Sequence, residues 1–112
     1  FNFKSKNTFD NSLKYQAMEN DEVDCVPAYT TDAQLSSNEF ILLEDDKHFW
    51  PPYNIIPVVR QEVIDAHPDV AEIINKISAA IDTETMTKLN AQVDIDKEEY
   101  EDVVADFYAT IK

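Results

Sequence analysis

Apolar and polar positions fall into two regimes along this chain. The C-terminal half repeats at helical spacing, and the N-terminal half is cut into short runs. After Pro68, which suits a first helical position, Val70, Ile73, Ile74, Ile77 and Ile81 share one stripe and predict a helix over about 68–81. Asp82 is placed to cap a second helix over 83–91, with Met86 and Leu89 facing inward. Asp96 and Glu99 have the spacing of a capping box ahead of Tyr100, Val103, Val104, Phe107, Tyr108 and Ile111, which predicts a third helix over 97–111. These stripes read as packing surface.

The N-terminal half is more broken. Phe1 to Lys6 alternates weakly, and Phe9-Asp10-Asn11-Ser12 supplies capping chemistry for a short helix over 12–20 with a thin apolar stripe. Val23 to Ala28 reads as a strand, with Val26 and Ala28 on one face and Pro27 favouring an edge. Thr30-Thr31-Asp32 can cap a helical turn through Leu35, and Ser36-Ser37-Asn38 breaks the chain before a strand at 40–43. A turn at Asp45-Asp46-Lys47 leads to a mostly buried strand at 54–60. The expected class is α/β, short strands with flanking helices.

Between the last two strands lies Glu44-Asp45-Asp46-Lys47-His48-Phe49-Trp50-Pro51-Pro52-Tyr53-Asn54. The double proline restricts φ twice and pushes Trp50 towards an extended conformation, so Tyr53 is presented from a stiff backbone. A stiff loop bearing aromatic rings is a place to hold a ligand. The commoner arrangement for such a block is a proline corner whose aromatics plug a core, because aromatics usually pack rather than bind.

Composition narrows the function classes. The chain has 112 residues, one domain's worth, with 44% apolar content, six Phe, five Tyr and one Trp, enough to build a core. A formal charge of −14 argues against nucleic acid or an anionic membrane as a direct partner. Glycine is absent, where ordinary usage gives about eight, so no Gly-rich phosphate loop exists and turns lean on Asn, Asp and Pro. Cys25 is the only cysteine and forms no intrachain disulfide. No apolar run approaches a membrane span and nothing at the start resembles a signal peptide. Phe1, not Met, comes first, so the chain is expected to be cut from something longer.

Catalytic and metal chemistry find little footing. His48 and His67 have no His or Cys at metal-ligand spacing. Asp94-Ile95-Asp96-Lys97-Glu98-Glu99 lacks the central glycine and the spacing of a calcium loop. No nucleophile elbow is present, and Glu44, Asp45 and Asp46 read as a solvated turn. Neither an enzyme nor a cofactor is implied. Tyrosine faces, by contrast, carry negative potential and attract a cation, a quaternary ammonium above all because it is weakly hydrated. Each contact contributes about 0.5–2 kcal/mol. Tyr29 ends one expected strand and Tyr53 begins another, so the sequence permits both to meet in one cleft.

Several blocks occur in a distinctive order: Leu13-Lys14-Tyr15-Gln16-Ala17-Met18, Glu22-Val23-Asp24, Ala28-Tyr29-Thr30-Thr31-Asp32 and Leu42-Leu43-Glu44-Asp45-Asp46-Lys47. Phe49-Trp50-Pro51-Pro52-Tyr53-Asn54, Pro57-Val58-Val59-Arg60, Met86, Leu89-Asn90 and Val93-Asp94 follow. With these blocks the sequence resembles the C-terminal part of substrate-binding proteins of glycine betaine/carnitine/choline ABC importers. The resemblance implies a type II periplasmic-binding-protein fold of two lobes closing on the solute. Residues from 1 to about 38 would belong to the second lobe, and those from about 39 to 112 would cross back to the first. It also implies an extracytoplasmic location (periplasmic, or attached to the cell surface as a lipoprotein or a permease fusion) and a membrane permease as partner.

In that family a tyrosine cage holds the trimethylammonium head, and the matching positions are Tyr29 and Tyr53. Thr30, Thr31, Asp32, Trp50 and Asn54 flank them as pocket support. Family members commonly carry glycine where this chain has Asp21, Ala33 and Ala79, and Phe where it has Trp50. The leading expectation is capture of a quaternary ammonium osmoprotectant. The alternative is an acidic protein-interaction domain that docks a partner through its helical stripes. A chain holding only part of a cage is expected to bind weakly alone and to self-associate, most simply as a dimer.

Overall fold

The computed structural model describes residues 2–111. It contains five helices among the described residues: α1 (Lys14–Glu19), α2 (Gln61–Ala66), α3 (Asp69–Ala79), α4 (Thr83–Asp94) and α5 (Tyr100–Thr110). Short 3-10 turns run over Asn11–Leu13 and Ala33–Ser36. The chain divides into two compact units, Phe1–Thr30 and Thr31–Lys112.

In the first unit, Asp10 starts the helical segment. Its carboxylate accepts the Ser12 N–H at 3.0 Å and the Ser12 hydroxyl at 2.7 Å. That satisfies a donor the first turn leaves open, so the 3-10 turn runs straight into α1. The helix ends at a left-handed residue, Asp21 with φ 57. Around it the Asn20, Asp21 and Glu22 N–H groups bond back to Gln16, Met18 and Ala17. Glycine usually takes this position, and here Asp bears the steric cost. Tyr15 and Ala17 are buried and give α1 its inward face.

In the second unit, α4 packs on the Ala33–Ser36 turn and on α5, and α2 packs on α3. Asp82 caps α4 as expected, accepting the Thr85 N–H at 2.8 Å. Ala33 and Val103 are buried. A half-buried hydrogen bond from Asn90 Nδ2 to the Thr31 carbonyl, 2.8 Å, ties α4 to the segment entering the 3-10 turn. On α5, Val103, Phe107 and Ile111 are covered, whereas Tyr100, Val104 and Tyr108 are exposed. The expected single stripe is wider than the neighbour that covers it.

Two further expectations need correcting. The Asp96–Glu99 capping box does not form, and α5 begins at Tyr100 with Glu99 as its N-cap. The Asp96 N–H is used instead to close α4, bonding the Ala91 carbonyl at 3.1 Å, and Lys97 then turns left-handed with φ 61. Helix α2 was not anticipated. Gln61 Nε2 bonds Asp65 Oδ1 at 2.8 Å along its exposed face, and Pro68 stops it by forcing His67 out of the helical region.

The strands expected at 23–28, 40–43 and 54–60 differ from the structure: no strand occurs among the described residues. Residues 2–6 likewise form none, and Phe1 lies outside the described residues. A strand exists only by pairing. These segments run without regular structure, and Ile41, Leu43, Ile55 and Val58 project into solvent.

Candidate functional site

Tyr29 lies near the end of the first unit and is 57% exposed. Helix α1 brings Lys14 to it. The Lys14 ammonium stands 5.5 Å from the Tyr29 ring centroid and 5.0 Å from that of Tyr15, inside the reach of a cation–π contact. Thr30 closes the unit.

The other candidates belong to the second unit. Thr31 and Asp32 lead into the 3-10 turn: the Thr31 carbonyl accepts from Asn90, and the Asp32 carbonyl accepts the Leu35 N–H at 3.0 Å. Asn90 thereby holds one end of the Tyr-Thr-Thr-Asp motif against α4. Trp50, Tyr53 and Asn54 lie together on the extended segment, all exposed, and Tyr53 is 88% exposed. The Phe49 and Trp50 rings meet edge to face at 5.0 Å. In the described structure the rings of this loop plug no core.

Asp45 organises that loop. Its carboxylate accepts the Phe49 N–H at 3.0 Å and the Trp50 N–H at 2.8 Å, while its carbonyl accepts the His48 N–H at 3.0 Å. His48 is held left-handed, φ 49, within this closure. The Trp50 N–H first, and the Phe49 N–H second, hold the Asp45 carboxyl below the usual carboxylate range. Neither Asp45 nor Lys14 stood out in the sequence. Asp45 carried a usable signal, since an Asp opening a turn commonly bonds backbone N–H groups further along. Lys14 carried none, because its two aromatic neighbours depend on how α1 meets Tyr29.

A groove between α4 and α5, lined by Leu89, Val103, Phe107 and neighbouring polar residues, contains none of the candidate residues. Among the described residues no group of three or more His, Cys, Asp and Glu is placed to hold a metal ion. No helix among them is long and apolar enough to cross a membrane.

Comparison with known proteins adds a second kind of observation. Residues 1–110 match the OpuAC family, the substrate binding domain of ABC-type glycine betaine transport systems. A glycine-betaine-binding protein of Pseudomonas aeruginosa is 42% identical over 98 residues, covering 88% of this chain and 32% of the relative. The ergothioneine transport permease/ergothioneine binding protein EgtU of Helicobacter pylori is 36% identical over 107 residues, 96% of this chain and 19% of the relative. The carnitine transport binding protein OpuCC of Listeria monocytogenes is 38% identical over 82 residues, 73% of this chain and 27% of the relative. The chain thus spans a third or less of the length of these relatives.

Proposed function

Because the chain belongs to the family of substrate binding domains of ABC-type glycine betaine transport systems, we propose that it is part of the solute-capturing component of an ABC importer. Its solute is a quaternary ammonium compound of the osmoprotectant class, glycine betaine, carnitine or choline. Tyr29 and Tyr53 each supply an aromatic face to the ammonium head. The observation that carries this is the family match over residues 1–110. The relatives support the ligand class: glycine betaine, carnitine and ergothioneine, named in their descriptions, share a trimethylammonium head and a carboxylate. The exposure of both tyrosines is compatible with binding and unlike a buried aromatic plug.

Within this proposal Thr30, Thr31, Asp32, Trp50 and Asn54 support the pocket wall. Residues up to about 38 belong to the second lobe of a type II periplasmic-binding-protein fold, and the remainder crosses back to the first. The apolar segments at 40–43 and 54–60 become strands when the rest of the domain supplies neighbours. The assembled protein acts outside the cytoplasm, anchored or periplasmic, and delivers its solute to a membrane permease.

The test is calorimetric titration of a protein carrying the complete binding domain with glycine betaine, choline, carnitine and proline betaine. At least one should bind, and Tyr29→Ala and Tyr53→Ala should each weaken it by roughly two- to thirtyfold, the range of a cation–π contact. A folded protein that binds none of the four would refute the assignment.

A further inference from the structure

Lys14 is only 7% exposed, which is unusual for a lysine. Withdrawing an ammonium from water is costly unless other groups compensate it. Here the compensating groups include two tyrosine rings, with Nζ 5.0 Å from the Tyr15 centroid and 5.5 Å from that of Tyr29. The ring assigned to an external ammonium is therefore already engaged by an internal one. An aromatic ring has two faces; Lys14 engages one, and Tyr29 is still 57% exposed.

We propose that Lys14 is a positioning residue for solute capture, clamping one face of Tyr29 so that the opposite face is aimed at the quaternary ammonium head. The proposal rests on the assignment of Tyr29 to the solute. The clamp suits its task. A lysine ammonium is compact and can donate hydrogen bonds, so burial against tyrosines holds it in one place, and Tyr15 beside it on α1 fixes it from a second side. A solute head on the far face meets a ring whose tilt is set before binding, which removes an ordering cost from association. Repulsion between the two cations across the ring is offset by the carboxylate of a zwitterionic solute and screened at the exposed side.

The experiment uses a protein carrying the complete binding domain, titrated with glycine betaine in a double-mutant cycle of Lys14→Met and Tyr29→Ala, with Lys14→Arg as the conservative variant. Lys14→Met should weaken binding roughly tenfold, and Lys14→Arg, which keeps a cation on the ring, should stay within about threefold of the parent. In the Tyr29→Ala background, Lys14→Met should change affinity by less than about twofold, because the residue through which it acts is gone. Should the methionine variant not fold, Lys14→Gln carries the same comparison. Unchanged affinity in Lys14→Met, alongside a clear loss in Tyr29→Ala, would overturn the proposal and leave the Tyr29 assignment standing. An equal Lys14→Met loss with and without Tyr29 would overturn it as well, because the lysine would then act elsewhere. Unchanged affinity in Tyr29→Ala alone would instead remove the assignment of Tyr29, and with it the proposal.

Discussion

Asn90→Ala removes the hydrogen bond that joins α4 to the segment entering the candidate site. Asn90 Nδ2 donates to the Thr31 carbonyl at 2.8 Å across 59 residues of sequence. The amide must present its nitrogen, since a carbonyl only accepts. A hydrogen bond of this kind contributes about 0.5–1.5 kcal/mol net, and a buried acceptor left unpaired costs about 1–3 kcal/mol. Thr31 and Asn90 are half-buried, so water reaches the site in part and the lower end applies. The expected cost is therefore about 1–2 kcal/mol, or a fall of roughly 4–10 °C in the midpoint of a domain this size. Thermal and urea unfolding of the variant beside the parent measures it. Asn90→Asp should lose at least as much, because its carboxylate faces the carbonyl with no donor. A change below about 0.3 kcal/mol in both variants would show that the 3-10 turn is held on α4 by packing, and that Asn90 anchors nothing.

Asp82→Asn should keep the α4 cap and reduce the loss of stability in acid. The Thr85 N–H holds the Asp82 carboxyl below its ordinary range, so its contribution is present above roughly pH 4 and fades as pH falls through the lowered folded value. Urea unfolding at several pH values between neutral and strongly acidic shows it. Asp21→Gly relieves a left-handed φ of 57 and should raise stability by about 0.5–1 kcal/mol once the entropy of glycine is subtracted, as a shift in urea midpoint. Asp45→Ala should loosen the loop carrying Trp50 and Tyr53 and weaken glycine betaine binding by a protein with the complete domain. Asp45→Asn, which retains an acceptor, should recover much of it in the same titration. The isolated 112-residue chain should bind betaine weakly and self-associate, most simply as a dimer; light scattering showing a clean monomer at high concentration contradicts this.

Much of the helical structure was legible because a helix is nearly self-contained. Its hydrogen bonds close within the segment, and its ends are marked by local side chains such as Asp10 and Asp82, both of which cap as read. What the pattern could not resolve was competition for a residue. Asp96 is suited to open α5, yet its N–H is claimed by the end of α4, and α5 starts later for that reason. The α5 stripe met a similar limit. Apolar character on Tyr100, Val104 and Tyr108 matches that on Val103 and Phe107, and only the position of α4 decides which set is covered. At the candidate site, Tyr29 and Tyr53 were reachable through their motifs. Asp45 was reachable in principle as an Asp opening a turn, whereas Lys14 was not, since it matters through a spatial neighbour.

The expected strands mark the boundary between what a segment decides and what its surroundings decide. Segments 40–43 and 54–60 have the composition of strands, and Pro57 limits only one of their ladder positions. Yet a strand's N–H and C=O groups point sideways, to a neighbour the segment itself does not contain. With no such neighbour among the described residues, the backbone stays irregular and Ile41, Leu43, Ile55, Ile56 and Val58 remain in water. Exposing so many large apolar side chains is unfavourable for a soluble monomer. The same surface is what strand pairing within a larger domain would bury. It lies on either side of the loop that presents Trp50 and Tyr53. Strand pairing there would also stiffen both ends of that loop, so that, under the proposed function, the placement of Tyr53 against the solute would depend on pairing of the segments flanking it.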